Sequence, residues 1–158
     1  MPYKVFISHS TRDRGLVIAL ANLFSKLGVE VSVAEWSLTP GERLDEKVFT
    51  EIDQSDCIVV LLTGKGMRSN WVHQEIGYAQ KSNKPLIPFV EKGINSTDLG
   101  SLEGKEYIEY DPLQPEQAMM RLSTYAQSLK LKKEEKEKTM LVAGAFIALL
   151  LLLSGEKR

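Results

Sequence analysis

Two residues near the middle of the chain have types and a spacing that could do chemistry together. Trp71 and Glu75 lie four residues apart in a stretch with helical periodicity, which places them on the same face of a helix. An indole can stack on a flat aromatic ring, while a fixed carboxylate beside it stabilises developing positive charge. The pair would therefore suit cleavage of an N-glycosidic bond, whose transition state resembles an oxocarbenium ion.

A cationic nicotinamide is the kind of leaving group that this pair could release, because it departs as a neutral molecule. Such a reaction demands neither a strong general acid nor a metal ion. The alternative for the same residues is structural: the tryptophan packs against the core and the glutamate is solvated, as most helical glutamates are. Spacing by itself leaves both interpretations open.

Other kinds of site find little support in the composition. The single cysteine, Cys57, allows no internal disulfide and no cysteine-based metal cluster, and its apolar neighbours favour inert packing. His9 and His73 lack the spacing of a metal site, so no metal is expected. Residues 64–66 lack the spacing of a phosphate loop. The net charge of −1 provides no basic field for nucleic acid, and none is expected as a partner.

Short apolar runs alternate with amphipathic stretches along residues 1–129, which predicts one α/β domain. The predicted strands are 5–7, 29–33, 57–62, 85–90 and 107–110, and the predicted helices are 13–27, 44–52, 69–79 and 116–129. The alternation implies right-handed crossovers and a parallel sheet. We expect a flavodoxin-like, doubly wound sheet in the order 2-1-3-4-5. Pro88 weakens the fourth strand, and the segment between 93 and 105 has no assignment.

This strand order places a ligand site beside the first and third strands. The order reverses between them, and ligands bind beyond the carboxyl ends of the strands at such a switch point. The crevice is expected to be lined by residues 8–10, by the loop 63–70 and by the start of the helix that carries Trp71. The loop 35–43 can reach it from the second strand.

The end of the chain differs in composition from the α/β domain. Residues 130–138 carry five lysines among glutamates, which is typical of a charged linker or a helix extension. Residues 139–155 are uncharged and apolar on all sides, at the short limit of the about 17–25 residues that span a bilayer. We expect a single-pass membrane anchor followed by a tail, 156–158. The alternatives are a helix that pairs with another chain and a cryptic core segment. The lysines favour a cytoplasmic location for the folded domain.

Several motifs resemble, in matching order, those of Toll/interleukin-1 receptor (TIR) domains over roughly residues 3–128. The run KVFISHS at residues 4–10, followed by Asp13, resembles the family's first strand and loop. Residues 37–43 resemble the loop after the second strand, which is called the BB loop. The run SNWVHQE at residues 69–75 resembles the motif Ser-x-Trp-Cys-x-x-Glu, with Val72 where cysteine is common.

The resemblance implies one of two functions. Many bacterial, archaeal and plant TIR domains cleave NAD+ or make cyclic ADP-ribose isomers. In these enzymes the glutamate that matches Glu75 is catalytic, an aromatic residue that matches Trp71 can stack the nicotinamide, and the loop that matches residues 8–12 lines the pocket. Other members are non-catalytic adaptors that act through TIR–TIR interaction at the BB loop.

We therefore expect an NAD+ nucleosidase, with NAD+ as substrate and no cofactor, that acts in prokaryotic signalling or antiviral defence and is activated by self-association. Glu75 is the expected catalytic residue. The expected substrate-binding residues are Trp71, Ser8, His9, Ser10, Arg12, Trp36 and Ser37, and the expected assembly loop comprises Leu38, Pro40, Gly41 and Arg43. A core-facing indole at Trp36 and a plain turn at Pro40-Gly41 remain alternatives, as does an adaptor function for the whole domain.

Overall fold

A five-stranded parallel sheet, covered by helices on both faces, forms the centre of the fold. The computed structural model of the chain describes residues 2–33, 43–64, 70–102 and 104–155, with the backbone alone at positions 11, 44, 45, 70–75, 96, 97 and 101. The strands are β1 (Tyr3–Ser8), β2 (Val29–Ser32), β3 (Cys57–Leu62), β4 (Leu86–Glu91) and β5 (Ile108–Tyr110), and the helices are α1 (Arg14–Lys26), α2 (Leu44–Gln54), α3 (Asn70–Lys81) and α4 (Pro115–Gly155). Their order, β2-β1-β3-β4-β5, confirms the predicted topology.

The central strand β3 is buried on both faces, as its unbroken apolar sequence predicts. Cys57, Val59 and Leu61 pack in the core layer that includes residues of α1 and α4. The alternate residues Ile58 and Val60 pack in the layer that includes α2 and α3. Because successive side chains of a strand point to opposite faces, one continuous apolar run fills both layers.

Gly28 ends α1 in the way that the sequence predicts. It has a φ of +68°, in the left-handed region that glycine adopts without strain. Its N–H donates a hydrogen bond of 3.1 Å to the carbonyl oxygen of Ser25, which satisfies one of the last carbonyls of the helix. The chain can therefore turn at once into β2.

Pro88 lies inside β4, where a missing N–H would normally interrupt the sheet. The carbonyl of Pro85 accepts from the Ile58 N–H, so the odd-numbered residues of β4 bond towards β3. Pro88 therefore faces the β5 side, and β5 begins to pair only at the next register position, Phe89 opposite Ile108. The proline removes no hydrogen bond that the sheet would otherwise make.

The segment between β4 and β5, which the sequence leaves unassigned, contains a 3-10 helix at Ser96–Leu102. A kink at Gly100, with φ 56° and ψ −121°, divides it. Leu99 and Leu102 are buried in the layer below α2 and α3. Two apolar side chains therefore attach this connection to the core.

One continuous helix, α4, runs from the core to the apolar end of the chain. Ala118, Leu122 and Ala126 are buried against the sheet. Residues 130–138 form its middle, and the side chains beyond Thr139 are exposed. Among the described residues α4 is the one helix long and apolar enough to cross a membrane, with a mean hydropathy of 2.0 over 18 residues that are 0% buried. This exposure contradicts the cryptic-core alternative.

Candidate active site

The loop that follows β1 forms one wall of the crevice at the switch point. Ser8, the last residue of the strand, is buried, and so is His9, whose Nδ1 lies 2.7 Å from the carbonyl oxygen of Ser10. The Ser10 hydroxyl accepts a hydrogen bond of 3.2 Å from the Arg12 N–H and so caps the 3-10 turn Thr11–Asp13. Three of the predicted substrate-binding residues thus lie at the carboxyl end of β1, while the Arg12 side chain is exposed.

A buried carboxylate joins this loop to the end of β3. Asp13 is 7% exposed and Thr63 is 5% exposed. The Thr63 hydroxyl lies 2.9 Å from each carboxylate oxygen of Asp13, and the Ser10 hydroxyl lies 3.4 Å from one of them. The carboxylate also sits at the N-terminus of α1, where the helix dipole favours negative charge. The sheet pairs β1 with β3 as far as Ser8 and Val60, and this bridge extends the connection to the segments that follow the two strands.

A second carboxylate holds the residue that follows Thr63. Oε2 of Glu91, at the end of β4, accepts a hydrogen bond of 2.8 Å from the Gly64 N–H. Burial raises the pKa of Tyr110, at the end of β5, and the negative charges of Glu91 and Asp13 raise it further. The carboxylates of Glu91 and Asp13 therefore both act on the end of β5.

The backbone of α3 places positions 71 and 75 at this same edge. The helix begins at Asn70, soon after the end of β3, so both positions lie in its first two turns. Position 75 is one turn before Ala79, which is buried in the core, and position 71 is one turn earlier still. The side chains of Trp71 and Glu75 lie outside what the structure describes. On the backbone, positions 71 and 75 therefore lie on the same side of α3 as Ala79.

Most of the predicted assembly loop also lies outside the described residues. Its residues Leu38, Pro40 and Gly41 do so, and so do two of the predicted substrate-binding residues, Trp36 and Ser37. Arg43, the last residue of that loop, is described: it occupies the N-cap position of α2, and its side chain is exposed and lies 4.0 Å from Glu46. Such an exposed pair contributes little to stability.

Two other features of the described residues bear on the chemistry. No group of three or more histidine, cysteine, aspartate or glutamate side chains is placed there to hold a metal ion. A groove of about 690 Å³ lies between α4 and the beginnings of β4 and β5, lined in part by Tyr107, Met120 and Tyr125. It opens at the edge of the sheet, away from the switch point, and is separate from the crevice.

The sequence analysis named Asp13 in the first-strand motif and Thr63 in the crevice loop, but it missed Glu91 and the roles of all three residues. Each is a polar residue at or just beyond the carboxyl end of a strand or at the start of the following helix. That position is a signal that the sequence does carry, because ligand sites of this fold form there. Their pairing could not be predicted, since the bridged residues are 50 and 27 positions apart.

Comparison with known proteins shows which family the sequence matches. The family model of the TIR domain matches residues 5–123. The 2′ cyclic ADP-D-ribose synthase AbTIR of Acinetobacter baumannii is 27% identical over 95 residues, which are 57% of this chain and 35% of that protein. A candidate cyclic ADP-D-ribose synthase, TIR2 of Cytobacillus dafuensis, is 29% identical over 94 residues, which are 54% of this chain and 24% of that protein. The chain thus spans about a quarter to a third of the length of these curated relatives.

A solved structure extends the likeness over the whole domain. The TIR domain of the Toll-related receptor TRR-2 from Hydra magnipapillata superimposes with a TM-score of 0.67. The match covers 80% of this chain and 98% of the receptor domain, at 18% sequence identity. At that identity the likeness concerns the fold.

Proposed function

Since the chain belongs to the TIR domain family, we propose that it is an enzyme that cleaves the N-glycosidic bond between nicotinamide and ribose in NAD+. The observation that carries this proposal is that α3, which bears position 75 in its second turn, follows β3 and so begins at the carboxyl edge, next to the switch point. The names of the two bacterial relatives, a cyclic ADP-D-ribose synthase and a candidate one, support NAD+ as the substrate. The products are nicotinamide and either ADP-ribose or a cyclic isomer.

Each part of the crevice has a place in this reaction. The carboxylate of Glu75 stabilises the oxocarbenium-like ribose as the bond to nicotinamide breaks. Trp71 stacks on the nicotinamide ring, which leaves as a neutral molecule. The Asp13–Thr63 and Glu91–Gly64 bonds fix the first residues after β3 against the segment after β1 and the end of β4. The loop 8–12 lines the substrate pocket.

Self-association and membrane attachment complete the proposal. The loop of a neighbouring subunit, residues 36–43, closes the site, so that activity requires assembly. The apolar end of α4 spans the bilayer and keeps the TIR domain on the cytoplasmic side. Anchored chains are confined to two dimensions, and their higher effective concentration favours assembly. A role in prokaryotic signalling or antiviral defence stays a prediction.

The test uses the full chain reconstituted at high density in lipid vesicles and supplied with NAD+. Nicotinamide release is followed by chromatography for the parent chain, for Glu75→Gln and for the matched control Glu109→Gln, whose glutamate is exposed on β5. Loss of one transition-state contact of this kind typically costs about 10²–10³ in rate. We expect Glu75→Gln to lose at least that much and Glu109→Gln to keep the parent rate.

The contrary result would favour the adaptor function. If the parent chain releases no nicotinamide under these assembling conditions, or if Glu75→Gln is as active as the parent chain, the catalytic proposal is wrong. An adaptor would instead lose its binding of other TIR domains on Pro40→His or Gly41→Asp and tolerate Glu75→Gln.

A further inference from the structure

The helix α4 is held to the sheet at the edge opposite the candidate site. It follows β5, so it starts near the carboxyl edge and runs to the amino-terminal edge, where β1, β3 and β4 begin. There the Lys133 ammonium lies 2.9 Å from Asp56, the residue that precedes β3. The Lys130 ammonium donates a hydrogen bond of 3.2 Å to the carbonyl oxygen of Leu27, at the end of α1.

A third contact adds to this clamp at the same edge. The Lys133 ammonium is 5.9 Å from the centre of the Tyr3 ring, at the start of β1, which is within reach of a cation–π interaction. Asp56 is fixed in turn, because its carboxylate accepts a hydrogen bond of 2.9 Å from the Lys4 N–H. The clamp thus joins α4 to the first residues of two strands.

Beyond the clamp the helix continues without a break to its apolar end. Residues 127–143 contain neither proline nor glycine, and Lys133 pairs with Glu137 one turn further on. From Lys133 to Thr139 the helix rises by about 9 Å. The headgroup layer of one leaflet is about 5–7 Å thick. A spanning segment that begins at Thr139 therefore brings the amino-terminal edge of the sheet to the headgroup surface.

The charge of this edge suits an anionic lipid surface. Lys26 and Lys81 end α1 and α3 on it and are exposed. On α4, Lys132, Lys136 and Lys138 are exposed as well. Glu134 and Glu137 lie 3.9 and 3.8 Å from Lys130 and Lys133, so that Glu135 is the exposed glutamate of residues 130–138 that opposes the lysines. Exposed lysines close to a bilayer are attracted by anionic headgroups.

We propose that α4 is a rigid strut that sets the amino-terminal edge of the sheet against anionic lipid headgroups and directs the carboxyl edge, with the candidate site, away from the membrane. This inference rests on the proposed membrane attachment of α4. The six residues of β1 span about 20 Å. The carboxyl edge therefore lies about 20 Å further from the bilayer than the amino-terminal edge. An average helix tilt of about 20° reduces this height only slightly.

The test measures the distance of each edge from the membrane in vesicles of phosphatidylcholine and phosphatidylglycerol. The full chain carries one introduced thiol for a fluorophore, as Ser25→Cys at the amino-terminal edge or as Asn95→Cys beyond β4, both at exposed positions. The natural Cys57 is buried and does not compete for the label. Energy transfer to an acceptor on the lipid headgroups should place the Asn95→Cys label about 20 Å further from the bilayer than the Ser25→Cys label.

Two insertions after Lys138 separate a rigid strut from a flexible tether. Four alanines continue the helix and should move both labels outward together, by about 6 Å. Four glycines form a flexible joint, so the two distances should converge. If the parent chain floats with the vesicles but its two labels are equally distant, the orientation is wrong while membrane attachment stands. If the chain does not float, both are wrong. The label distances do not depend on whether the chain cleaves NAD+, so a failure of the orientation is distinguishable from a failure of the catalytic proposal.

Discussion

Replacing Thr63 by valine tests whether the buried carboxylate of Asp13 depends on its hydroxyl donor. The two side chains have nearly the same shape, so the change removes the hydrogen bond without opening a cavity. Thr63 and Asp13 are 5% and 7% exposed, which leaves little room for water to replace the lost donor. A hydrogen bond to a charged group contributes about 1.5–3 kcal/mol, and an unsatisfied buried acceptor carries a cost of similar size. We therefore expect Thr63→Val to lower the free energy of unfolding by about 2 kcal/mol.

The measurement is urea unfolding of the full chain in a mild detergent, followed by tryptophan fluorescence. With an m value of about 2 kcal/mol/M, the expected loss lowers the midpoint by about 1 M urea. The matched control is Thr124→Val, at an exposed threonine on α4, which should stay within about 0.5 kcal/mol of the parent chain. Asp13→Asn and the double variant complete a cycle that isolates the pair. A coupling of at least about 1 kcal/mol is expected for groups in direct contact.

Two results would refute this reasoning. One is a Thr63→Val variant no less stable than Thr124→Val, which would show that the carboxylate does not need the hydroxyl. The other is a coupling energy near zero, which would mean that the two side chains stabilise the fold separately. In either case the bridge could not be what stabilises the segments after β1 and β3 at the switch point.

Two further predictions concern groups away from the crevice. Burial raises the pKa of Glu51, but hydrogen bonds from Ser32 and Lys4 and the charges of Lys4 and Lys47 outweigh it, so that the net pKa is lowered. A carboxyl with a lowered pKa stabilises the fold above its ordinary pKa, and that contribution is lost as the pH falls through the lowered value. Glu51→Gln should therefore lower the free energy of unfolding by about 1.5 kcal/mol at pH 7. In urea unfolding below about pH 4 the loss should be smaller, and an equal loss at both pH values would contradict the lowered pKa. Burial raises the pKa of Cys57 to about 12, so at pH 8 its reaction with a disulfide reagent should be at least about tenfold slower in the folded chain than in urea, and comparable rates would contradict its burial.

Much of the fold was predictable because it depends on local patterns. Alternating apolar runs and helical spacing predict all five strands and four helices, and the unbroken run of β3 predicts its central place. Pro88 was the main argument against the fourth strand. The register shows why the strand tolerates it, because the Pro88 nitrogen faces β5 at a position before the β4–β5 pairing begins. The connection between 93 and 105 could not be assigned, since its 3-10 helix depends on Leu99 and Leu102 reaching the core.

The candidate site was predictable in outline for a similar reason. A parallel sheet gathers the carboxyl ends of its strands at one edge, so Ser8, His9 and Ser10 were expected there, and the structure places them there. The contacts of Asp13 and Glu91 were not predictable. They depend on which strand ends become neighbours and in what register. No local sequence pattern encodes the distance between side chains that are far apart in the chain.

By itself, the sequence determined the α/β alternation, the family resemblance of residues 69–75 and the apolar character of residues 139–155, because each depends on residues close together in the chain. The strand order was predictable because doubly wound sheets of this kind usually adopt it. Only the tertiary structure decided that Thr63 satisfies the carboxylate of Asp13 and that Glu91 holds Gly64. It also decided that α4 continues unbroken from the core into the apolar segment, clamped by Lys133 at the edge opposite the crevice. Packing brings together groups that are distant in sequence, and the direction in which α4 leaves the domain follows from that packing.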